Sequence, residues 1–274
     1  MREGRREWLD RRKMKAKAKV RLRGRLGPCF VACILPMLLP WVIRLVPSNI
    51  GVKYLLLADM YVVGVSVPMT VLSFVATIFV TDVMNVRLAG YFLKMHEGLT
   101  AVPPGTICDC FGEDYWPNMR AMLLRTAYIG AFTLPFVAAS LLAPGAVRRE
   151  TVEGLDCLCL NPSPVMMLLA MAGYLYAHVS SLLTRYIAAS DAGASAREAL
   201  RRSRRLVHGR FWEIAMLKLT FLPWVLAAST LLFPSLYAYP YMESTFAEYY
   251  REMTLPTPTE EHLDGGAEDD DAAR

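Results

Sequence analysis

The stretch PVMMLLAMAGYLYAHVSSLLT, residues 164–184, contains no Asp, Glu, Lys or Arg. A helix needs roughly 20 mostly apolar residues to cross the ~30 Å hydrocarbon core of a membrane, so this stretch predicts a transmembrane helix. Four further stretches are long and apolar enough for the same prediction, namely 28–46, 62–83, 121–143 and 214–233. The chain is 54% hydrophobic with a mean hydropathy of +0.30, which is too apolar for an ordinary soluble domain. The sequence therefore predicts an all-α, multi-pass transmembrane helix bundle with five clear spans.

The segment SLYAYPYMESTFAEYY, residues 235–250, decides whether a sixth helix follows. At 100° per residue, Glu243, Thr245 and Glu248 fall on one polar arc, and aromatic and aliphatic side chains fill the rest. Two placements fit this pattern: a helix in the plane of the membrane interface, or a last span whose polar arc faces the bundle interior. We expect the second, a returning sixth helix that begins after Pro234.

The distribution of Lys and Arg predicts the orientation of the chain. Residues 1–25 hold twelve Lys and Arg against three acids. If the N-terminus is inside, the next inner loops are 84–120 and 185–213, and the second of these contains another basic cluster. Such clusters mark the cytoplasmic side, so we expect a cytoplasmic N-terminus in the bacterial plasma membrane. A signal peptide would be shorter than the first apolar run and would end in a small-residue cleavage site, so we expect that run to be retained.

Three regions follow from this orientation. Residues 1–27 form a basic cytoplasmic amphipathic arm, 28–253 form the transmembrane helical domain, and 254–274 form an acidic tail that has little to bury and is expected to be disordered. In the arm, apolar residues recur every fourth position, which fits a helix lying on an anionic leaflet, although a plain topology signal would explain the basic residues equally well. The candidate contacts for anionic lipid head groups are Lys15, Lys17, Lys19, Arg21, Arg201 and Arg204.

The C-terminal third carries a recognisable set of motifs. They are an Ala-Leu-x-x-Ser-Arg stretch, a following Gly, a Thr-Phe-x-x-Trp stretch, and a Pro-Tyr followed by Thr-x-Ala and a Tyr pair, at Ala199, Leu200, Ser203, Arg204, Gly209, Thr220, Phe221, Trp224, Pro240, Tyr241, Thr245, Ala247, Tyr249 and Tyr250. In these residues the chain resembles the bacterial integral membrane protein family known as domain of unknown function 975. The resemblance implies a bundle of about six helices with both ends cytoplasmic and brings no assigned activity. A more distant likeness to membrane domains attached to glycerophosphodiester phosphodiesterases suggests lipid head groups, by analogy only.

Polar residues recur at helical spacing in two of the predicted spans. The second span carries Ser66, Thr70, Ser73 and Thr77, and the fourth carries Tyr174, His178, Ser181 and Arg185; Glu243 could approach them from the sixth helix. These residues could line a polar cavity between spans 2 and 4, with Arg185 suited to a phosphate or carboxylate. The alternative is that the hydroxyls serve helix packing and that His178 is a buried histidine bonded to a neighbour. Lys218, in the fifth span, is expected to extend toward the inner surface.

No motif for metal binding or catalysis accompanies these residues. The six cysteines occur as Cys29 and Cys33, Cys108 and Cys110, and Cys157 and Cys159, and the predicted topology puts the last two pairs on opposite sides of the membrane. They cannot share one zinc ion, and the inner pair lacks two further ligands. The sequence has no nucleotide-binding Gly loop, no Gly-x-Ser-x-Gly and no His-Glu-x-x-His. We therefore expect no cofactor and no metal.

The function predicted on these grounds is that of a non-catalytic, lipid-contacting interaction or organising module. Its partners would be anionic lipid head groups at the cytoplasmic face and a membrane protein, but not nucleic acid, because a juxtamembrane position favours lipid as the anion. The alternative is a carrier for a lipid or small anionic solute that uses the cavity between spans 2 and 4. A third hypothesis is an enzyme that acts on a lipid head group with His178 as acid or base.

Overall fold

The computed structural model describes residues 11–45, 52–57, 60–97, 102–112, 114–143, 147–152, 155–191, 193–224 and 232–254. Helices α1 (Arg11–Leu22), α2 (Leu26–Leu45), α3 (Val67–Ala76) and α4 (Asp82–His96) form the first half, and a π-helical turn at Thr77–Thr81 makes α3 and α4 continuous. A 3-10 helix at Pro104–Phe111 leads into α5 (Tyr115–Leu142). The second half contains α6 (Pro164–Ser180), α7 (Thr184–Ser190), α8 (Ala196–Val207), α9 (Phe211–Leu219) and α10 (Leu232–Thr254).

Two β-hairpins interrupt the helices and pair with each other. Strands β1 (Val52–Leu57) and β2 (Met60–Ser66) lie between α2 and α3, and β3 (Val147–Val152) and β4 (Leu155–Leu160) lie between α5 and α6. They form one sheet in the order β2-β1-β4-β3, in which β1 and β4 are parallel and the other neighbours antiparallel. The prediction of an all-α fold is therefore confirmed for the bundle and incomplete for these two connections.

Within the described residues, three helical segments are long and apolar enough to cross a membrane. They are Thr70–His96, Tyr115–Leu142 and Pro164–Ser190, and a shorter apolar helix covers Leu26–Leu38. These segments match the predicted second, third and fourth spans, and α2 covers the first. The predicted fifth span begins in α9, and its part at 225–231 lies outside the described residues.

Two predicted boundaries of the second span are wrong. Residues 62–66 belong to strand β2, so the helix begins five residues later than expected. It then continues to His96 instead of ending near residue 83, which places Arg87 and Lys94 on the helix and not in an inner loop. Hydropathy did not reveal this extension because the added turns pack in the protein core, where charged residues can follow an apolar span without ending the helix.

Helix α10 has a central position in the bundle. It packs against α1, α2 and α4, and all eight residues from Glu243 to Tyr250 are buried. The buried polar residues of this helix thus face the protein interior, and its role as a returning sixth span stays a prediction. The predicted acidic tail lies almost entirely outside the described residues.

Helices α5 and α6 form the closest helix pair in the bundle. At Gly173 an added Cβ would lie 2.5 Å from the carbonyl oxygen of Phe132, so only glycine allows the two backbones to approach this closely. This contact fixes the position of α6, which carries His178 and the residues that lead into α7 and α8. The close pairing therefore sets the geometry of the two candidate sites described next.

Candidate functional site

An open groove lies where α6, α8 and α9 meet, and we call it the arginine groove. Its volume is about 1030 Å³. It is lined by Tyr176, Ser180, Arg201, Arg204, Arg205, Val207, His208, Gly209, Arg210, Phe211, Trp212 and Glu213. Four arginines and a histidine therefore face a single carboxylate, and the groove is suited to an anion.

Local sequence signals build the helix that carries these arginines. The hydroxyl of Ser195 accepts a hydrogen bond from the backbone N–H of Glu198 at 3.2 Å, the N-cap expected from the capping-box spacing. Ser203 lies on the buried face of α8 and its hydroxyl donates to the carbonyl of Ser180 on α6 at 3.0 Å. The helix ends before Gly209, whose φ of +87° is a left-handed conformation that favours glycine. The cap, the hydroxyl and the glycine together turn the arginine face of α8 toward α9.

The two arginines of α8 that the sequence predicted as lipid contacts, Arg201 and Arg204, line this groove. The guanidinium of Arg204 lies 5.2 Å from the ring centre of Tyr128, and Arg201 is 62% exposed and only weakly paired with Glu198 at 3.9 Å. The prediction missed Arg205, His208 and Arg210. The signal that could have found them was present, because all three continue the same basic run through the helix end and the turn after it.

The other wall of the groove is aromatic. Trp212 is 75% exposed, and Phe211 makes ring contacts with Trp212 and with Tyr176, whose ring centre lies 5.7 Å away. Aromatic residues of this kind concentrate where a membrane meets water. The groove thus joins cationic side chains to an aromatic, lipid-compatible surface beside α6, one of the helices long enough to cross a membrane.

A second polar region lies inside the bundle, around Arg185. Arg185 Nη2 lies 2.9 and 3.1 Å from the two carboxylate oxygens of Glu243, and the hydroxyl of Tyr186 donates to the same carboxylate at 3.0 Å. The structure therefore brings together two of the predicted cavity residues, one from the fourth span and one from the last helix. Because Glu243 neutralises Arg185, this arginine is less available for an external anion than the sequence suggested.

The predicted cavity residue His178 has a different partner. Lys218 Nζ lies 2.9 Å from His178 Nδ1, and Tyr174 packs its ring edge-on against the imidazole. The prediction that Lys218 extends toward the inner surface is therefore wrong; its ammonium group bonds within the bundle. Ser181 closes this region by accepting a hydrogen bond from Arg125 Nε on its backbone carbonyl at 3.2 Å. The sequence prediction did not include Arg125.

The hydroxyl residues of the second span do not join this region in the described contacts. Ser66 lies in strand β2 and Thr70 is exposed, while Thr77 donates to the carbonyl of Ser73 at 2.8 Å. Thr81, on the same face, donates to the carbonyl of Pro36 in α2 at 2.9 Å. Helix α3 packs against α2, whereas α7 packs against α4, α8 and α5. These contacts favour the packing interpretation of the stripe.

A third polar cluster connects α4 to α10 and was missed by the sequence prediction. His96 Nδ1 lies 2.6 Å from a carboxylate oxygen of Glu248, and His96 Nε2 lies 3.0 Å from the hydroxyl of Ser244. Arg251 donates to the backbone carbonyl of His96 at 3.0 Å. The side chains of His96, Ser244 and Glu248, which we call the His96 triplet, are all buried. The spacing of Ser244 and Glu248 could have indicated a shared face, but only the fold shows that His96 lies opposite them.

The N-terminal arm packs against protein. Its apolar residues Met14, Ala18 and Leu22 are buried, mainly by α10. Lys17 contacts Glu252 and Glu248, and the hydrogen bond to Glu252 raises the pKa of Lys17 above its ordinary value. The apolar face that the sequence predicts to face lipid is thus covered by protein.

The basic residues of the arm divide into two groups. Lys15 donates to the hydroxyl of Thr220 at 2.7 Å and lies 4.6 Å from the ring centre of Phe221, and Lys19 lies 5.8 Å from the ring centre of Tyr241. Together with Lys17, these lysines contact other parts of the chain. Arg21 is exposed. Lipid contact by the arm stays a prediction.

The cysteines offer no metal site within the described part of the chain. Cys29 and Cys33 are buried and Cys108 is exposed, all as free thiols. No group of three or more His, Cys, Asp or Glu residues that could hold a metal ion occurs among the described residues. Cys157 and Cys159 lie on β4, and their oxidation state stays a prediction.

Comparison with known proteins adds a family. No curated protein and no solved structure matches the chain. A family model described as "Protein of unknown function (DUF975)" matches residues 9–255, a range that covers every described helix from α1 to α10. This range contains the arginine groove, the polar residues around Arg185 and His178, the cluster around His96, and the motifs that carried the resemblance. The chain therefore belongs to the DUF975 family of proteins of unknown function.

Proposed function

We propose that this protein is a non-catalytic, multi-pass integral membrane protein that holds the phosphate group of anionic lipids in the arginine groove at the cytoplasmic face. The observation that carries the proposal is the composition of the groove, in which four arginines lie beside an exposed Trp212. Guanidinium groups match phosphate oxygens with paired N–H donors, and basic pockets beside membrane helices are typical sites for anionic head groups. In this role the protein is a lipid-contacting interaction or organising module.

The connections between helices support the proposed topology. Hairpins β1-β2 and β3-β4 pair in one sheet, so the α2–α3 and α5–α6 connections lie at the same end of the bundle. The basic helix α1 precedes the outgoing helix α2, and the basic helix α8 follows the returning helix α6. Both positions fit a placement of α1 and α8 at the opposite end of the bundle. By the positive-inside rule that end is cytoplasmic, in the bacterial plasma membrane. Six passes, with α9 outgoing and α10 returning, complete this arrangement.

The geometry of the His96 triplet supports the absence of catalysis. Its serine, histidine and carboxylate follow one another as in a hydrolase triad, yet Ser244 is 0% exposed. Ser244 lies within α10, where backbone N–H groups already donate to helix carbonyls and are not free to stabilise an oxyanion. The triplet is better explained as a buried polar link between α4 and α10.

Lipid retention tests the proposal. The tagged protein is extracted from its membrane in native lipid discs, and the retained lipids are quantified by mass spectrometry for the wild type and for Arg201→Gln/Arg204→Gln. A cation near an anionic surface contributes about 1 kcal/mol, so the double variant is expected to lose anionic lipid enrichment by about 20-fold or more. Arg202→Gln is the matched control, because Arg202 lies on the same helix but pairs with Asp191 outside the groove.

The outcome distinguishes lipid from protein partners. Equal anionic lipid in the wild type and the double variant would overturn the lipid proposal. A stoichiometric membrane protein that is retained by the wild type and lost from the double variant would assign the groove to a protein partner instead. A separate experiment in intact cells tests the topology, because a reporter fused after Arg274 must read as cytoplasmic if six passes are present.

A second candidate function is a carrier for a small anion or a lipid. The observation that favours it is the pairing of Lys218 with His178 in the interior of the bundle, near Arg125. Uptake of phosphate into liposomes that contain the purified protein tests it. Uptake that is equal in the wild type and in Lys218→Gln would remove this candidate.

A further inference from the structure

The interior of the bundle contains more positive than negative charge in its described part. Arg125 on α5, Arg185 on α7 and Lys218 on α9 face two carboxylates, Asp82 and Glu243. Lys218 Nζ lies 2.9 Å from His178 Nδ1, and Arg125 Nε donates at 3.2 Å to the carbonyl of Ser181, three residues after His178. Arg125, His178 and Lys218 therefore share one region, although they come from three helices. Each helix belongs to a segment that is predicted to cross the membrane.

The two carboxylates, Glu243 and Asp82, have different hydrogen-bond partners. Glu243 bonds to Arg185 and Tyr186, and Asp82 accepts a hydrogen bond from Thr126 at 3.3 Å. Among the described contacts, Lys218 bonds to the His178 ring, and Arg125 donates through Nε to a backbone carbonyl. The charge of Asp82 acts on Arg125, so Lys218 is the cation whose described hydrogen-bond partner carries no negative charge. Ionised groups at membrane depth usually pair with a counter-charge or line a watery cavity.

We propose that Arg125, His178 and Lys218 form a second anion site, inside the bundle, that binds a phosphate group. Arg125 would offer its two terminal guanidinium nitrogens, which match two phosphate oxygens, and Lys218 would add a compact positive charge. Lys218 Nζ lies 2.9 Å from His178 Nδ1 and 3.3 Å from Nε2, so a neutral imidazole accepts from Lys218 through one ring nitrogen and keeps the N–H of the other as a further donor. The phosphate group would belong either to a free anion or to a lipid head group.

The site has an edge that a ligand can reach. Tyr174, whose ring packs against His178, is 42% exposed, and His178, Arg125 and Lys218 are all half-buried. The described residues therefore leave the site open on its α6 side. Arg185 is not part of the site, since its guanidinium group is already paired with Glu243.

This inference does not depend on the proposed lipid groove, and it deepens the carrier candidate, with which it shares Lys218, His178 and Arg125. The arginine groove is lined by residues of α8 and α9 from Arg201 to Glu213 with two residues of α6, and none of the three residues of the interior site lines it. Variants at the two places therefore give separate outcomes.

Thermal unfolding with added inorganic phosphate tests the free-anion source. The purified protein is kept in micelles of a sugar-headed detergent, which carries no phosphate group of its own, and the melting temperature is measured with phosphate or with the same ionic strength of chloride. A ligand at about 100 times its Kd should raise the melting temperature of the wild type by roughly 5 °C. Arg125→Gln and Lys218→Gln should each abolish this shift, and Lys218→Gln can retain a hydrogen bond to His178. Arg120→Gln is the matched control, because Arg120 is exposed on the same helix as Arg125.

Mass spectrometry of the protein extracted from its own membrane tests the lipid source. A phospholipid that is retained by the wild type and by Arg201→Gln/Arg204→Gln, but lost from Arg125→Gln and Lys218→Gln, would assign the site to a lipid phosphate. A phosphate-induced shift that survives both interior substitutions would overturn the proposal. The absence of both a phosphate shift and an interior-dependent phospholipid in the wild type would overturn it as well, and either result leaves the outcome for the arginine groove unaffected.

Discussion

Removal of Arg185 is expected to destabilise the protein strongly. Arg185 and Glu243 are 15% and 8% exposed and pair at 2.9 and 3.1 Å, so Arg185→Met leaves a buried carboxylate with Tyr186 as its remaining hydrogen-bond donor. Breaking a buried pair in this way costs about 3–5 kcal/mol. At roughly 2–4 °C per kcal/mol for a chain of this size, the melting temperature should fall by about 10 °C.

The double variant Arg185→Met/Glu243→Leu separates pairing from packing. With both charges removed, the desolvation cost disappears too, and the net change should lie within about 1 kcal/mol of the wild type. The free energy of unfolding can be followed by tryptophan fluorescence during titration of mixed micelles with a denaturing detergent. The two single substitutions should therefore sum to several kcal/mol more than the double variant.

An exposed ion pair provides the control for this cycle. Arg202 and Asp191 are each 49% exposed and lie 3.7 Å apart, so Arg202→Met should change the free energy of unfolding by less than about 1 kcal/mol. If Arg185→Met costs no more than this control, or if the double variant costs the sum of the two singles, the reasoning about the buried pair is refuted. In that case Arg185 would return as a candidate for binding an external anion.

Three further outcomes are expected. Gly173→Ala should destabilise the α5–α6 contact by about 1–3 kcal/mol, because the added Cβ would lie 2.5 Å from the Phe132 carbonyl oxygen. Gly130→Ala should cost less, since its Cβ would meet only a flexible leucine side chain at 3.4 Å. Unfolding in mixed micelles compares the two variants. Gly209→Ala should cost about 1–2 kcal/mol at its φ of +87° and reduce anionic lipid retention by the groove, and unchanged retention would show that this turn does not shape the site. Lys17→Gln should reduce the hydrogen-exchange protection of α1. Because the pKa of Lys17 is raised in the folded state, the contribution of Lys17 to stability should be complete below the ordinary value of 10.5 and be lost as the pH rises through the higher folded value. Hydrogen exchange of α1 measured across that pH range checks this.

The apolar helices were predictable because hydropathy is a local property of consecutive residues. The stretch at residues 164–184 lies within a helical segment long enough to cross a membrane, and the N-cap at Ser195 and the basic face of α8 follow from residues three or four positions apart. The β-hairpins were not predictable in the same way, since β1 pairs with β4 about a hundred residues later in the chain. The predicted start of the second span was wrong because the apolar residues 62–66 suit a strand as well as a helix, and their strand partner is distant in the sequence.

The sequence by itself determined that the protein has apolar helices, a basic α8 and a last helix with one polar face. The tertiary structure alone decided which charges meet. Arg185 pairs with Glu243 across 58 positions and Lys218 meets His178 across 40, and both contacts depend on the rotation and depth of packed helices. Likewise, the amphipathic arm could rest on lipid or on protein, because both offer an apolar surface, and the burial of Met14, Ala18 and Leu22 beside α10 selects protein. A periodic pattern identifies the face of a helix that must be covered, and only the fold supplies the surface that covers it.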